Sequence, residues 1–237
     1  MQNLFDEYSF KARLTPTFLV LLPLALAAWA WTADVQFNWK LLAGGIIYCG
    51  GTLLLAQLGR DLGRQKQEQL FILWGGKPTT RLLRHRTKAI DAITLNRYHT
   101  KLGNLVGQKF PTKEQEGADK KTADMLYESG VKILLEKTRD KNKYGLIFRE
   151  NINYGFRRNL WAMKPAGILI CFIAIFASVV QIWIALSNQR VVSLLPVISL
   201  MVAIIFLTLW VLRIKPRWVF ATADAYAIRL LAACEEL

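Results

Sequence analysis

Hydrophobic residues along this chain fall into long uncharged blocks separated by polar stretches rich in lysine and arginine. Residues 14–33, 41–59, 165–189 and 191–212 contain no Asp, Glu, Lys or Arg. About 20 apolar residues in a helix suffice to cross the hydrocarbon core of a bilayer, so each block predicts a membrane span. Spans one and two are separated only by Asp34–Lys40, and spans three and four turn at Ser187-Asn188-Gln189-Arg190. The predicted fold is an all-α membrane protein in which two transmembrane helical hairpins flank a basic cytoplasmic helical insert. Its divisions are an N-terminal segment and hairpin at 1–59, the insert at 60–164, the second hairpin at 165–212 and a C-terminal helix at 213–237.

The insert has a helical rhythm almost throughout. Span two is expected to continue through Arg60–Trp74 until Gly75-Gly76-Lys77-Pro78 breaks it. Thr79 or Thr80 is then expected to cap a helix over Arg81–Leu95, extending towards Leu105. Gly103, Gly107 and Pro111 punctuate the next turn. Met125, Leu126, Val131, Leu134 and Leu135 recur near the helical period, predicting a helix through Arg139. Lys141–Lys143 ends it, and Tyr144–Met163 leads into span three. The tail Trp218–Glu236 is expected to be amphipathic, with Ile228, Leu231 and Ala232 on one face. No strand run is present. The first block resembles a signal peptide, with Ala28-Trp29-Ala30 as a cleavage site. Asp6 and Glu7 before it, and a length beyond the usual 7–15-residue core of such peptides, favour a retained helix.

Charge sets the orientation. The 237 residues carry 31 Lys and Arg against 17 Asp and Glu, a formal net charge of +14, while 53% are hydrophobic. That pairing excludes an ordinary soluble enzyme. Residues 60–164 hold 23 basic against 11 acidic side chains. Lys11 and Arg13 precede span one, and Arg213, Lys215 and Arg217 follow span four. The positive-inside bias places all of these in the cytoplasm, which predicts a multi-pass membrane protein with cytoplasmic N- and C-termini. Trp29, Trp31, Trp39 and Trp183 are expected at the outer interface, and Trp161, Trp210 and Trp218 at the inner one.

Catalytic patterns are missing. Gly75-Gly76-Lys77-Pro78 has Pro78 where a phosphate loop needs Ser or Thr, and there is no GxSxG, HExxH or GxGxxG. His85 and His99 lack metal-ligand spacing. Cys49, Cys171 and Cys234 form no CxxC pair and read as packing residues. No enzyme activity, cofactor or metal is expected.

The basic stretch from Arg81 to Lys143, 15 Lys and Arg against 8 Asp and Glu, lies beyond the reach of topogenic charge. Arg81, Arg84 and Lys88, with Arg86 at their flank, are expected to form one helical stripe. Lys120 and Lys121 open another helix, Lys141 and Lys143 follow a helix end, and Arg157 and Arg158 sit near Tyr154, Phe156 and Trp161. These ten are the candidate phosphate contacts of a nucleic-acid or nucleotide site. Two other readings are a basic face over anionic lipid and a surface that serves only solubility. In the spans, Gly44, Gly45, Gly50 and Gly51 are candidates for close helix packing or a pore, and Gln181 for an interhelical hydrogen bond. The spans hold no internal charge, which argues against a proton-coupled pump.

The two-hairpin plan, with Leu73-Trp74-Gly75-Gly76-Lys77-Pro78-Thr79-Thr80 and Asn151-Ile152-Asn153-Tyr154-Gly155-Phe156-Arg157-Arg158-Asn159 in its insert, resembles the four-span membrane effectors of bacterial anti-phage defence systems, nearest the Hailong-type membrane subunit. That resemblance implies a nucleotidyltransferase partner, a homo-oligomeric channel-like complex, and a single-stranded DNA that holds it closed. The expected function is therefore an inner-membrane effector gated by a nucleic-acid or nucleotide signal. The rival is a non-conducting membrane scaffold whose basic domain binds an acidic protein or anionic lipid.

Overall fold

The computed structural model describes residues 6–32 and 39–237, with side-chain surroundings in the second stretch from residue 50 onwards. Every regular element among the described residues is helical: α1 Glu7–Thr32, α2 Trp39–Leu73, α3 Pro78–Leu83, α4 Ala92–Val106, α5 Lys113–Ala118, α6 Lys120–Lys137, α7 Gly145–Ala162, α8 Lys164–Ser187, α9 Leu194–Leu212 and α10 Pro216–Ala232, with short 3-10 turns at His85–Thr87 and Ala233–Glu236. The chain divides into two compact units, one from residues 1–66 and 155–219, the other from 67–154 and 220–237.

In the first unit, α1, α8 and α9 are long and apolar enough to cross a membrane. The α8–α9 turn falls where Asn188 and Gln189 were expected to make it. Gln189 adopts a left-handed φ of 53°, and the Arg190 N–H closes the helix end on Ala185 O at 2.8 Å. The three helices meet through small side chains: Ala27, Ala174 and Ala203 are all buried. Polar atoms then find partners across the contact. Ser178 Oγ donates to Ser199 Oγ at 3.0 Å, Gln181 Nε2 to Ala30 O at 2.7 Å and Trp31 Nε1 to Ala177 O at 3.3 Å. A Cβ at Gly167 would overlap the Trp210 indole, which is 2% exposed. Trp210 therefore packs between helices, where an interfacial anchor had been expected.

The 41–59 block lies inside α2, which runs unbroken past it to Leu73 as the sequence anticipated. The surroundings of Gly44 and Gly45 lie outside the described residues. A Cβ on Gly50 or Gly51 would meet nothing within 4 Å among the described residues. The tight contacts of α2 are instead at Gly59, where a Cβ would press on Met163, and at Gly63, where it would overlap the Asn159 amide. Gly59 and Gly63 form a small-xxx-small pair of the kind that lets helices touch. Asn159, buried, donates to Ala12 O at 2.8 Å, and Lys66 Nζ reaches Ala162 O at 3.2 Å.

The second unit has its own core. Leu83, Leu102, Tyr127, Leu134 and Leu231 are fully buried within it, with Leu95, Tyr98, Ile147 and Ala227. The expected helix over Arg81–Leu95 does not form. Pro78 starts α3 from a Lys77 cap position that makes no side-chain bond, and α3 stops at Leu83. Asp91 starts α4 afresh by accepting from Thr94 N at 2.9 Å. Between them, the Thr87 hydroxyl donates to Arg81 O and Arg84 O, and Lys88 takes a left-handed φ of 48°. Gly107 closes α4 at φ 74°. Thr112 and Gln115 form a reciprocal capping box on α5, and Asp119 caps α6. Of the apolar residues used to predict α6, Val131 and Leu134 are buried while Met125 and Leu135 are exposed. In α10 the buried face is Ala223, Ala227, Leu230 and Leu231, and Ile228 is 48% exposed.

Candidate anion-binding surface

The ten predicted phosphate contacts separate into three groups. Arg84 and Arg86 are tied internally. Arg84 grips Asp124 with two bonds of 2.8 Å and donates to Gly75 O at 2.6 Å. Arg86 donates to Glu116 Oε1 at 2.9 Å and to Asp124 at 3.0 and 3.1 Å. Glu116, only 2% exposed, also accepts from His85 N, Arg86 N and the Tyr127 hydroxyl. Burial alone would raise the Glu116 carboxyl, but these donors outweigh it and hold the pKa below the usual carboxylate value. Burial beside this carboxylate pushes the Tyr127 phenol far up. Arg84 and Arg86, two of the four residues in the expected stripe, thus form a knot that fastens the 84–87 turn to α5 and α6.

A second group is stacked. The Arg81 guanidinium lies 4.9 Å from the Phe220 ring centre, Lys141 4.7 Å from Phe148, Lys143 5.0 Å from Tyr144 and Arg157 4.7 Å from Trp218. Arg157 also donates to Trp218 O at 2.9 Å, and Arg158 to Asn159 Oδ1. Arg157 and Arg158 belong to the first unit, the other eight to the second. Lys88, Lys120 and Lys121 form the third group, exposed to solvent.

Three cations converge on one concave site. A pocket of about 390 Å³ is lined by Lys143, Arg149, Arg229 and Glu236 with Tyr144, Ile147 and Ala232. It sits at the start of α7, where unpaired backbone N–H groups add positive potential. Glu236 is its single acidic lining residue among those described. Lys143 was anticipated; Arg149 and Arg229 were not. The signal for Arg149 was its place one turn inside a helix that follows a basic break. Arg229 lay unmarked on an amphipathic tail. A wider groove of about 680 Å³ runs along α4, and its ionisable lining residues, Lys109, Lys113, His85 and His99, are all basic. His99 is buried, donates from Nε2 to Leu83 O at 2.7 Å, and has its pKa lowered chiefly by desolvation.

No group of three His, Cys, Asp or Glu side chains among the described residues is placed to hold a metal ion. Cys171 and Cys234 are buried, and burial lifts the Cys234 thiol to about 11, away from reactivity. Neither a protein-family model, nor a curated protein, nor a solved structure matches this chain.

Proposed function

We propose that this chain is a multi-pass inner-membrane effector whose basic helical unit binds a phosphorylated ligand, a single-stranded nucleic acid or a nucleotide, on its cytoplasmic side. The observation that carries the reading is the convergence of Lys143, Arg149 and Arg229 on one pocket against a single carboxylate. Three cations with one counter-charge leave a site that an anion completes, and guanidinium groups suit phosphate oxygens by their forked donors. Lys109 and Lys113 line a separate groove along α4 that contains no carboxylate among its described lining residues. The reading includes the stretch 41–59 as a fourth span, homo-oligomerisation and an ion path that opens or closes with the ligand. In keeping with the resemblance to anti-phage effectors, a nucleotidyltransferase supplies the signal. Gating requires the ligand to bind one state of the oligomer more tightly than the other.

The test is titration of the full chain, in lipid nanodiscs, into a fluorescein-labelled single-stranded oligonucleotide. Binding is expected to weaken with salt, the log–log slope being about 0.7 per phosphate contacted. Replacing Lys143, Arg149 and Arg229 together by Glu should weaken binding at least about tenfold and flatten that slope. Unchanged binding removes the pocket from the proposal. Absence of binding by the unaltered protein at low salt removes the nucleic-acid reading and favours the scaffold. Ion flux from proteoliposomes that changes on adding or digesting the oligonucleotide is expected for the effector, and flux in no condition for the scaffold.

A further inference from the structure

A second pocket in the same unit has a different chemistry. It encloses about 280 Å³ between the end of α2, the start of α3, α6, the end of the 145–154 segment and α10, and shares no lining residue with the Lys143 pocket. Its walls are apolar: Phe71, Val131, Leu135, Tyr226 and Leu230 face the space. On α10 the wall includes Ala223 and Ala227, one turn apart, whose small side chains lie at the pocket floor. The neighbouring core is closed, with Leu83, Leu102 and Tyr127 fully buried. Protein interiors fill such space, because an unfilled apolar wall forgoes dispersion contacts on one side. The accessible apolar side chains Phe71, Leu135 and Tyr226 above that floor make a seat for an apolar body.

The rim is charged. Lys77 Nζ lies 2.6 Å from Glu128 Oε2, a half-exposed pair. Lys132 stands four residues after Glu128 on α6 and also lines the pocket, yet Glu128 pairs with Lys77 instead. The lining thus carries two cations and one carboxylate, and Lys132 is its exposed cation, one turn along α6 from the paired Glu128. From this we infer that the pocket binds a single-chain anionic amphiphile: a hydrocarbon chain against Phe71, Val131, Leu135 and the two alanines, and its anionic head at Lys132. A cationic head would meet Lys132 with like charge, and an uncharged one would gain nothing from it. A free fatty acid and a single-chain lysophospholipid share this chemistry.

The test uses the full chain in nanodiscs of zwitterionic lipid, with dansylated undecanoate as fluorescent probe and empty nanodiscs as blank. Saturable enhancement is expected, displaced by dodecanoate if the occupant is a free acid, or more strongly by lauroyl lysophosphatidate if it derives from a lipid. Dodecanol and dodecyltrimethylammonium should be weaker competitors by about tenfold or more. Ala227→Phe should abolish binding by filling the pocket. Because that variant risks the core, Lys132→Glu at an exposed position is the second arm, and should weaken the probe by about tenfold while leaving the melting curve unchanged. The inference is overturned if all four competitors displace equally, or if Lys132→Glu binds as the parent does. Oligonucleotide binding is expected to survive both variants, which separates failure here from failure of the anion site.

Discussion

Arg84 and Asp124 meet in a two-pronged pair, Nε to Oδ1 and Nη2 to Oδ2, each at 2.8 Å, with 11% and 25% of their side chains exposed. The pair joins the end of α3 to the second turn of α6, forty residues on. Its geometry gives Arg84 a structural task that the basic run does not reveal in the sequence.

Asp124→Asn should therefore destabilise the second unit by about 2 kcal/mol, the range for losing hydrogen bonds to a charged group at a partly shielded site. Arg86 would lose the same partner. Thermal unfolding followed by tryptophan fluorescence checks this. Lys88→Ala, at an exposed position with left-handed backbone, is the contrast, and should shift stability by less than about 0.5 kcal/mol. Equal effects from the two changes would remove the knot from the account.

Acid should loosen the same region in two steps. Burial lowers the His99 pKa in the folded state below its ordinary 6.5. As pH falls past that value the unfolded chain takes up a proton that the folded chain resists, and stability declines. Glu116, held below its ordinary 4.5 by its donors, contributes stability above that value and loses it as pH falls through the lowered one. The melting temperature should fall from pH 6.5 downwards and fall further below 4.5. His99→Gln should remove the first step alone. A melting temperature that stays flat between those two values in the unaltered protein would contradict the desolvation of His99.

Three of the four uncharged blocks were legible as helices of span length and composition, because bilayer thickness imposes a length that composition alone reveals, and the Asn188–Gln189 turn fell between two of them. The continuation of α2 to Leu73 was legible for a similar reason: nothing before Gly75 breaks the helix. What was hidden depends on distant partners. Arg84 and Lys88 follow helical spacing after Arg81, but Asp124 and Glu116 draw Arg84 and the flanking Arg86 into a turn that local propensity does not record. Arg229 gains meaning only because α10 brings it to the start of α7. Likewise Gly63 matters through Asn159, almost a hundred residues away, whereas a Cβ on the conspicuous Gly50 or Gly51 would meet nothing within 4 Å among the described residues.

Gly167→Ala should disturb the first unit, since the added methyl overlaps the Trp210 indole. Overpacking of this kind costs about 1–3 kcal/mol. Trp210→Phe in the same background should restore part of it by making room. The signature is therefore non-additivity: the double variant melts higher than the sum of the single losses predicts. Additive losses would mean that the ring and the glycine do not constrain one another.

The number of membrane crossings decides where the basic unit lies. Among the described residues three helices have span length and composition, Glu7–Thr32, Lys164–Ser187 and Leu194–Leu212. Three crossings would put Lys11 and Arg217 on opposite sides, leaving one basic flank outside, against the positive-inside bias. A fourth crossing by residues 41–59 within α2 returns both flanks to one side. Cysteines introduced at Lys11, Asn188 and Arg217, with Cys49 replaced by Ala and the buried Cys171 and Cys234 kept, report this through a membrane-impermeant maleimide on intact cells. The expected result is labelling of Asn188→Cys alone, with Lys11→Cys and Arg217→Cys labelled only after permeabilisation. Labelling of Lys11→Cys in intact cells, with Arg217→Cys protected, would establish an odd number of crossings. Residues 41–59 would then be a helix that does not cross, and the two-hairpin plan would fail.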